Sequence, residues 1–225
     1  MKSLLELINT TEPGFTIVKD WISNAPCDVD VLPRDILRAE RELHALQVTT
    51  RSPMGAIVYE TGGILVKNGW IRILGSGNER LNRGIMEWNL GKTYTAIGDP
   101  MPFLLIADDV VGGFFAINSG GLDSDGIGKV FYFTQDTLKW ESTNLSYSEF
   151  LVFCFSERTA KFYETMFWNG WENDLKNIRG DQCFSFYPFL WTKEGKDINN
   201  VSRKIVAVQE IWGLSQDMKR QLASA

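Results

Sequence analysis

The spacing of apolar residues divides the chain into a helical beginning, a sheet-forming middle and a mixed, aromatic end. In the first part, residues 1–50, it predicts short helices over residues 3–8 and 15–22 and a longer one over residues 32–48. We place Pro33 in the first turn of the longer helix, where a proline is tolerated. The apolar residues of this helix fall largely on one face and predict that it packs on a core: Ile36, Leu37, Ala39, Leu43 and Leu46.

The middle part, residues 51–145, consists of short segments that are rich in β-branched and aromatic residues and are separated by glycines. This pattern is typical of strands joined by tight turns. Because side chains alternate along a strand, Trp70 and Arg72 are expected on the same face. The predicted strands lie within residues 55–60, 62–69, 69–77, 102–118 and 129–134, with a turn or short helix at 78–92.

The last part, residues 146–225, has helix-like apolar spacing up to the break at Gly170. A strand limited by Pro188 is predicted over residues 183–191, and a strand or turn followed by a helix over residues 202–222. A chain of 225 residues fits one large domain. We therefore predict a single α+β domain over residues 1–225, with a mostly antiparallel sheet.

The stretch GGFFAINSGG, residues 112–121, resembles a phosphate-binding loop only in its glycines. A phosphate loop needs a lysine that reaches the phosphates, a hydroxyl for magnesium and a following helix. None of these follows Gly112 or Gly120, so we interpret the stretch as a strand and a glycine-rich connection of an antiparallel hairpin. Phe114 and Phe115 should then face opposite sides of the sheet.

Three other apparent motifs lack the chemistry that they suggest. The segment GSGNER, residues 75–80, has arginine where a dinucleotide fingerprint needs its third glycine, and we interpret it as a turn. The segment DSDG, residues 123–126, lacks the glutamate of a calcium loop, since Thr134 is at the twelfth position. Asp108 and Asp109 are adjacent, so on a strand they face opposite ways and do not form a catalytic carboxylate pair.

Composition and charge narrow the classes of function. The chain has 23 basic and 28 acidic residues and a net charge of −5, which disfavours nucleic acid as a partner. No signal peptide or membrane span is recognised, which favours a cytoplasmic protein. The three cysteines are widely separated, so we expect reduced thiols and no metal or other cofactor. The single histidine, His44, lies on the long amphipathic helix and is interpreted as a partly exposed helix residue rather than a catalytic one.

Two groups of residues are candidates for binding a ligand or a partner. Trp168 and Trp171 flank a polar Asn-Gly step and are expected to be half-buried, and surface tryptophans commonly serve recognition. Arg72, Arg80 and Arg83 offer planar donor groups for a carboxylate or a phosphate. The alternative for each arginine is surface charge or ion pairing within the chain. No catalytic residue is assigned.

Three long segments resemble a bacterial family known only as a domain of unknown function. They are LQVTTRSPMGAIVYETGGILVKNGWIRILGSGNERLNRGIMEWN, PFLLIADDVVGGFFAIN and LKWESTNLSYSEFLVFCF, and the resemblance extends from about residue 43 to 222. More distantly, the order of helices, glycine-punctuated strands and ADDVVGGFFAIN is similar to the SUKH superfamily of immunity and regulatory scaffold proteins. That resemblance implies an α+β fold that binds other proteins. The chain differs from it in its length and in its aromatic last third.

Two hypotheses of function remain open at this point. The preferred one is a cytosolic, non-catalytic module that binds a protein partner, since no catalytic constellation is recognised. The alternative is an enzyme or ligand binder for a small molecule, which uses the arginines in a cleft over the sheet. A deep pocket lined by these arginines would favour the ligand, and a flat, exposed patch of tryptophan and arginine would favour the partner.

Overall fold

Seven strands form the central sheet, and each strand pairs antiparallel with the next one along the chain. The computed structural model describes residues 1–223. Because strands that are adjacent in sequence are adjacent in space, the sheet is a meander without crossover connections. The strands are β1 (Val29–Leu32), β2 (Gly63–Val66), β3 (Ile71–Leu74), β4 (Phe103–Asp109), β5 (Phe114–Asn118), β6 (Val130–Phe133) and β7 (Trp140–Leu145).

Within residues 1–223, nine helices and a second sheet of two strands complete the fold. The second sheet pairs β8 (Gln182–Tyr187) with β9 (Ser202–Ala207) in antiparallel register. The predicted α+β class with a mostly antiparallel sheet is confirmed. The helices are α1 (Leu4–Leu7), α2 (Phe15–Ser23), α3 (Ile36–Leu46), α4 (Pro53–Glu60), α5 (Ile85–Asn89), α6 (Tyr147–Cys154), α7 (Arg158–Phe162), α8 (Trp171–Leu175) and α9 (Val208–Ala223).

The start of α3 corrects the position predicted for Pro33. The Asp35 side chain caps the helix by accepting hydrogen bonds from the N–H groups of Leu37 and Arg38, at 2.9 and 3.1 Å. An aspartate at this position satisfies N–H groups that have no partner inside the helix. The helix therefore begins at Ile36, and Pro33 lies outside it in the connection from β1.

Residues 55–60 form part of helix α4, so the strand predicted there is wrong. The Ser52 hydroxyl caps the helix by accepting from the Gly55 N–H at 3.1 Å, and Pro53 occupies the first turn. Ile57 and Val58 are completely buried. A continuous apolar run does not distinguish a buried helix from a buried strand, whereas the serine and proline mark a helix start. Strand β1, inside the part predicted as helical, was not predicted.

The two faces of the central sheet are both covered. Phe114 points to one face and contacts Trp212 of α9, with ring centroids 5.0 Å apart. Phe115 points to the other face and contacts Phe150 of α6 at 4.8 Å. Both phenylalanines are completely buried. The predicted alternation along this strand is confirmed.

The glycine-rich connection between β5 and β6 is organised by the buried side chain of Asn118. Its Oδ1 accepts from the N–H groups of Gly120 and Leu122, at 2.8 and 3.1 Å. The N–H groups of Ser119 and Gly121 donate to the carbonyl of Pro102. Four consecutive N–H groups are thus paired within the chain. The interpretation as a hairpin connection is confirmed, and these groups are not directed at an anion.

Candidate functional site

Arg72 and Arg83 lie together in the interior and share the carboxylate of Asp108. Arg72 Nε donates to Asp108 Oδ1 at 2.5 Å, and Arg83 Nη1 donates to Oδ2. All three side chains are almost completely buried. Buried charges are stable in a protein only when they are paired and hydrogen-bonded. We call Arg72, Arg83 and Asp108 the arginine cluster.

Most of the remaining donors of the arginine cluster bind backbone carbonyls, whereas the buried Nε of Arg83 has no hydrogen-bond partner among the described residues. Arg72 Nη1 donates to the carbonyl of Gln182 at 2.9 Å, and Arg83 Nη2 donates to that of Gly180 at 2.7 Å. The segment that leads into β8 is therefore held against strands β3 and β4. Both arginines thus form ion pairs within the chain. Ion pairing was the alternative to ligand binding that the sequence analysis left open for these residues.

Arg80, the third predicted arginine, is exposed and pairs with Asp30 through a contact of 2.5 Å. Arg80 and one edge of Arg72 line an open cleft of about 720 Å³. The walls of this cleft carry both signs of charge, including Glu172 and Arg179. The structure thus brings Arg72 and Arg80 to one cleft but engages both in ion pairs, and a ligand role for them stays a prediction.

The two predicted tryptophans differ in exposure. Trp168 is only 2% exposed, so the expectation that it is half-buried is wrong. Its ring packs beside Trp70, and its Nε1 donates to Asp174 at 2.7 Å, which satisfies the polar atom inside the protein. Trp171 is half-buried, as expected, and stacks on Phe167 at 4.8 Å. A partner-binding role for either tryptophan stays a prediction.

A second concave region lies on the opposite side of β4, between strands β5 to β7 and helices α6 and α7. Its volume is about 390 Å³. Pockets of roughly 300–1,000 Å³ with apolar walls and a few polar groups are typical ligand sites. We call this region the aromatic pocket, because six rings contribute to its lining: Phe115, Tyr132, Phe150, Phe153, Phe162 and Tyr163.

The rings of the aromatic pocket support one another. Tyr132 stacks on Phe115 with ring centroids 4.6 Å apart, and Phe162 meets Tyr132 edge-on at 5.3 Å. Phe162 also contacts Phe153 at 5.5 Å and Tyr163 at 4.8 Å. It is nevertheless 43% exposed, so a large part of its ring is available to a ligand. Buried neighbours fix the ring positions, and Phe162 presents an apolar surface at the opening.

Asp109 lies behind the aromatic pocket and accepts four hydrogen bonds. Its Oδ2 accepts from the hydroxyls of Tyr132 and Tyr163, at 2.7 and 2.8 Å. Its Oδ1 accepts from the N–H groups of Val111 and Gly113, at 3.0 and 2.8 Å. An ionised carboxylate is an acceptor only, so four donors on two oxygens match the ionised form. The two tyrosines are thereby held with their hydroxyls towards Asp109.

The pKa values of these groups follow from burial and from their contacts. Burial raises the pKa of Asp109, and the hydrogen bonds from Tyr132, Tyr163 and Gly113, with the charge of Arg72, oppose that rise. Burial and the negative charge of Asp109 raise the pKa of both tyrosines well above their usual value. Both hydroxyls therefore keep their protons at neutral pH and act as hydrogen-bond donors.

Gly113 permits the close approach of Tyr132 to Asp109. A Cβ at this position would lie against the Tyr132 hydroxyl and 2.5 Å from Asp109 Oδ2. Side-chain atoms do not approach so closely, so any larger residue would displace the tyrosine or the carboxylate. Gly113, one of the glycines that first suggested a phosphate loop, therefore allows Tyr132 and Asp109 to pack closely behind the aromatic pocket.

Charged side chains surround the opening of the aromatic pocket. Asp136, Glu141 and Arg158 are all exposed and contribute to its lining. Among residues 1–223, Arg158 forms no ion pair, and its guanidinium lies 5.8 Å from the ring centroid of Phe153. The negative charge of Asp136 contributes to the raised pKa of Tyr132. The opening thus carries two negative charges and one positive charge.

The aromatic pocket was not predicted from the sequence. The aromatic residues of the last third were interpreted as core, which is the usual role of such a stripe. Two signals were present in the sequence. Tyr132 lies between phenylalanines in β6, and the adjacent Asp108 and Asp109 end a strand with apolar residues on both sides. A buried aspartate needs donors, and tyrosine hydroxyls supply them.

The remaining predictions concern metal ligands, His44, the cysteines and membrane-spanning helices. Residues 1–223 contain no group of three or more His, Cys, Asp or Glu side chains arranged to hold a metal ion. His44 is partly buried near the end of α3 and does not line the aromatic pocket. All three cysteines are free, and Cys154 and Cys183 are buried. No helix in this part of the chain is long and apolar enough to cross a membrane.

The fold and the site together define an α+β protein with a seven-stranded antiparallel meander, a buried arginine cluster and an aromatic pocket. The model of a family described as protein of unknown function DUF2625 matches residues 4–211, and the chain belongs to this family. The predicted membership of a bacterial family of unknown function is thereby confirmed.

Two relatives are similar over most of their length. An uncharacterised protein of Haemophilus influenzae (strain Rd) is 43% identical over 190 residues, which are 84% of this chain and 83% of the relative. The uncharacterised protein YbfG of Escherichia coli (strain K12) is 39% identical over 219 residues, or 97% and 98% of the two chains. Neither name states an activity.

Proposed function

We propose that this chain is a non-catalytic binding module and that the aromatic pocket holds a small organic ligand. The observation that carries the proposal is a concave site of about 390 Å³ with six rings in its lining and three charged side chains at its opening. Apolar walls supply most of the binding free energy for a ligand of this size, and a few polar groups orient it. In the arginine cluster, by contrast, Arg72 and Arg83 are buried and paired with Asp108, and the Nε of Arg83 is buried without a hydrogen-bond partner in the part of the chain that the structure describes.

The state of the two tyrosines supports binding rather than chemistry. Their hydroxyls donate to Asp109, which does not line the pocket, and their raised pKa values keep them protonated. A general base needs a pKa near the working pH and reach to the proton that it removes. Tyr132, which is 8% exposed, therefore acts on a ligand through its ring, and the completely buried Tyr163 supports that ring from behind.

Ring-containing probes of three charges test the proposal. Benzyl alcohol, benzyltrimethylammonium and phenylacetate are titrated against the protein, and binding is followed by nuclear magnetic resonance. We expect at least one probe to bind. Ser142→Trp places a large side chain on an exposed residue of the pocket lining and should weaken that binding at least about tenfold, as expected when a ligand loses its pocket contacts.

Ser124→Trp is the matched control, because Ser124 is an exposed residue of the glycine-rich connection and does not line the pocket. It should leave the affinity unchanged. The proposal fails if no probe binds, or if Ser142→Trp and Ser124→Trp have the same effect on every probe.

A protein partner, which the sequence analysis preferred, is the second candidate. An exposed aromatic surface after β8 favours it: Tyr187 is 70% exposed, and Phe189 and Trp191 stack at 4.3 Å. Aromatic residues are enriched where proteins bind proteins. If this surface binds a partner, Tyr187→Ala should abolish association with a partner that wild-type protein retains, and Ser142→Trp should not. An association that survives Tyr187→Ala would contradict this candidate.

A further inference from the structure

The aromatic pocket combines ring faces with an excess of negative charge, and this combination narrows the class of ligand. The exposed ring surface comes mainly from Phe162, which is 43% exposed, with smaller parts from Phe153 and Tyr132, each 8% exposed. The face of an aromatic ring carries partial negative charge and attracts cations within about 6 Å. Arg158 already uses this attraction, because its guanidinium lies 5.8 Å from the centroid of Phe153.

The hydrogen bonds behind the pocket strengthen the negative character of its tyrosine rings. Tyr132 and Tyr163 both donate to the Asp109 carboxylate. A phenol that donates to an anion is polarised, and electron density moves from the hydroxyl towards the ring. The buried carboxylate therefore acts on the pocket mainly through the partly exposed ring of Tyr132, although it does not touch the space inside.

The opening also favours a cation. Asp136 and Glu141 contribute two negative charges and Arg158 one positive charge, so the opening carries a net charge of −1. No lysine lines the pocket. The whole chain has a net charge of −5, which also attracts cations and repels anions at long range. An anionic ligand would meet one guanidinium and two carboxylates, whereas a cationic ligand meets two carboxylates and the ring faces.

We propose that the ligand of the aromatic pocket is an organic cation, a substituted ammonium group on a short apolar body. This inference rests on the proposed function, because it assigns a ligand class to the same pocket. The ammonium group contacts the exposed ring of Phe162 and the carboxylates of Asp136 and Glu141, and the apolar body contacts the exposed parts of Phe153 and Tyr132. A substituted ammonium suits this position because it is less strongly hydrated than a primary amine and is attracted to ring faces.

Three probes of nearly equal shape separate charge from size. Choline carries the quaternary ammonium group, 3,3-dimethyl-1-butanol replaces its nitrogen by carbon, and 3,3-dimethylbutyrate carries a negative charge. Titrations at low ionic strength are followed by nuclear magnetic resonance, with dissociation constants as the readout. We expect choline to bind about tenfold more tightly than 3,3-dimethyl-1-butanol, as cation–π attraction and nearby carboxylates predict. We expect 3,3-dimethylbutyrate to bind most weakly.

Charge variants at the opening give effects of opposite sign. Glu141→Gln and Asp136→Asn should each weaken choline binding several-fold and leave 3,3-dimethyl-1-butanol unchanged. Arg158→Gln should strengthen choline binding, because it removes the positive charge that repels the ligand. All three residues are exposed, so these variants are expected to fold normally. Thermal melting of each variant checks this.

The outcomes distinguish the ligand class from the binding site. If choline and 3,3-dimethyl-1-butanol bind equally, and Ser142→Trp abolishes both, the pocket binds ligands but the cation proposal is overturned. The same holds if Arg158→Gln weakens choline binding or if 3,3-dimethylbutyrate binds most tightly. If neither these probes nor the three ring-containing probes bind, the proposed function and the cation proposal both fail.

Discussion

Asp108 and Asp109 are adjacent in the chain, are both completely buried, and serve different purposes on the two sides of β4. Asp108 binds two arginines, and their other donors hold the segment before β8. Asp109 binds two tyrosines whose rings line the aromatic pocket. The first carboxylate neutralises positive charge within the chain, and the second orients neutral side chains that border a cavity.

This difference explains which groups remain available for binding. Asp108 and three backbone carbonyls accept hydrogen bonds from the arginine cluster, so the cluster stabilises the contact between two parts of the chain, although the buried Nε of Arg83 lacks an acceptor within residues 1–223. In the aromatic pocket the hydroxyls are engaged but the rings are not fully covered, since Phe162 remains 43% exposed. Neighbouring residues of one type thus differ in role because strand alternation directs them to different surroundings.

The largest effect is expected from breaking the arginine cluster. Asp108→Asn leaves Arg72 and Arg83 buried without their shared negative charge, and unfolding should be easier by about 3–5 kcal/mol, the usual cost of removing one partner of a buried ion pair. Urea denaturation measures it. Asp30→Asn removes the exposed partner of Arg80 and should change the free energy of unfolding by about 0–1 kcal/mol. Equal effects of the two variants would refute the structural role of the cluster.

Phenylalanines on the two faces of β5 provide the next test. Phe114→Ala and Phe115→Ala should each lower the free energy of unfolding by about 3–5 kcal/mol, because both rings are completely buried. Only Phe115 lines the aromatic pocket. Probe binding should therefore change in folded Phe115→Ala and not in folded Phe114→Ala. Neither variant nor the wild-type protein should bind nucleotide, and micromolar nucleotide affinity would contradict the hairpin interpretation of residues 112–121.

A smaller effect is expected at Gly113. Gly113→Ala places a Cβ against the Tyr132 hydroxyl and Asp109, and this overpacking should cost about 1–3 kcal/mol. Gly213→Ala is the control, since Gly213 lies in α9 with no atom within 4 Å of an added Cβ. It should stabilise the protein by about 0.5–1 kcal/mol, the difference between the two residues in a helix. Thermal and urea unfolding measure both changes, and a neutral Gly113→Ala would show that Tyr132 and Asp109 are not held tightly.

Glu42 sharpens the comparison, since it is a partly buried carboxylate that accepts hydrogen bonds from backbone N–H groups. Its Oε2 accepts from the N–H of Met86 at 2.6 Å. Burial raises its pKa from 4.5 to about 7, so the folded state prefers the protonated form. This contribution to stability is complete below pH 4.5 and is lost as the pH rises through about 7. Across this pH range we expect a loss of about 3 kcal/mol in the free energy of unfolding, since each unit of pKa difference corresponds to about 1.4 kcal/mol.

The pH dependence is tested by urea unfolding of the wild-type protein and Glu42→Gln across this range. Glu42→Gln should remove the part of the decline in the free energy of unfolding that Glu42 causes, because glutamine does not titrate. If the free energy of unfolding declined equally in the wild-type protein and in Glu42→Gln, groups other than Glu42 would be responsible for the decline.

The local pattern of residues determined much of the fold. Glycines and β-branched residues marked β2 to β6 and their turns, and apolar spacing marked α1, α2, α3 and α6, because these signals depend on neighbours in sequence. Alternation also placed Asp108 and Asp109 on opposite sides of a strand. The pattern failed at residues 55–60, where a fully buried helix has the same apolar composition as a buried strand.

Tertiary structure alone decided where the polar groups found their partners. Arg72 is 36 residues from Asp108 and 110 from Gln182, and Tyr163 is 54 from Asp109. Nothing in the local sequence indicates such partners, because a buried charge binds whichever donor or acceptor the fold brings within reach. Residue types therefore identified the groups that need partners, and packing of α6, α7 and the segment before β8 against the sheet determined which arginines were neutralised and which rings enclosed a pocket.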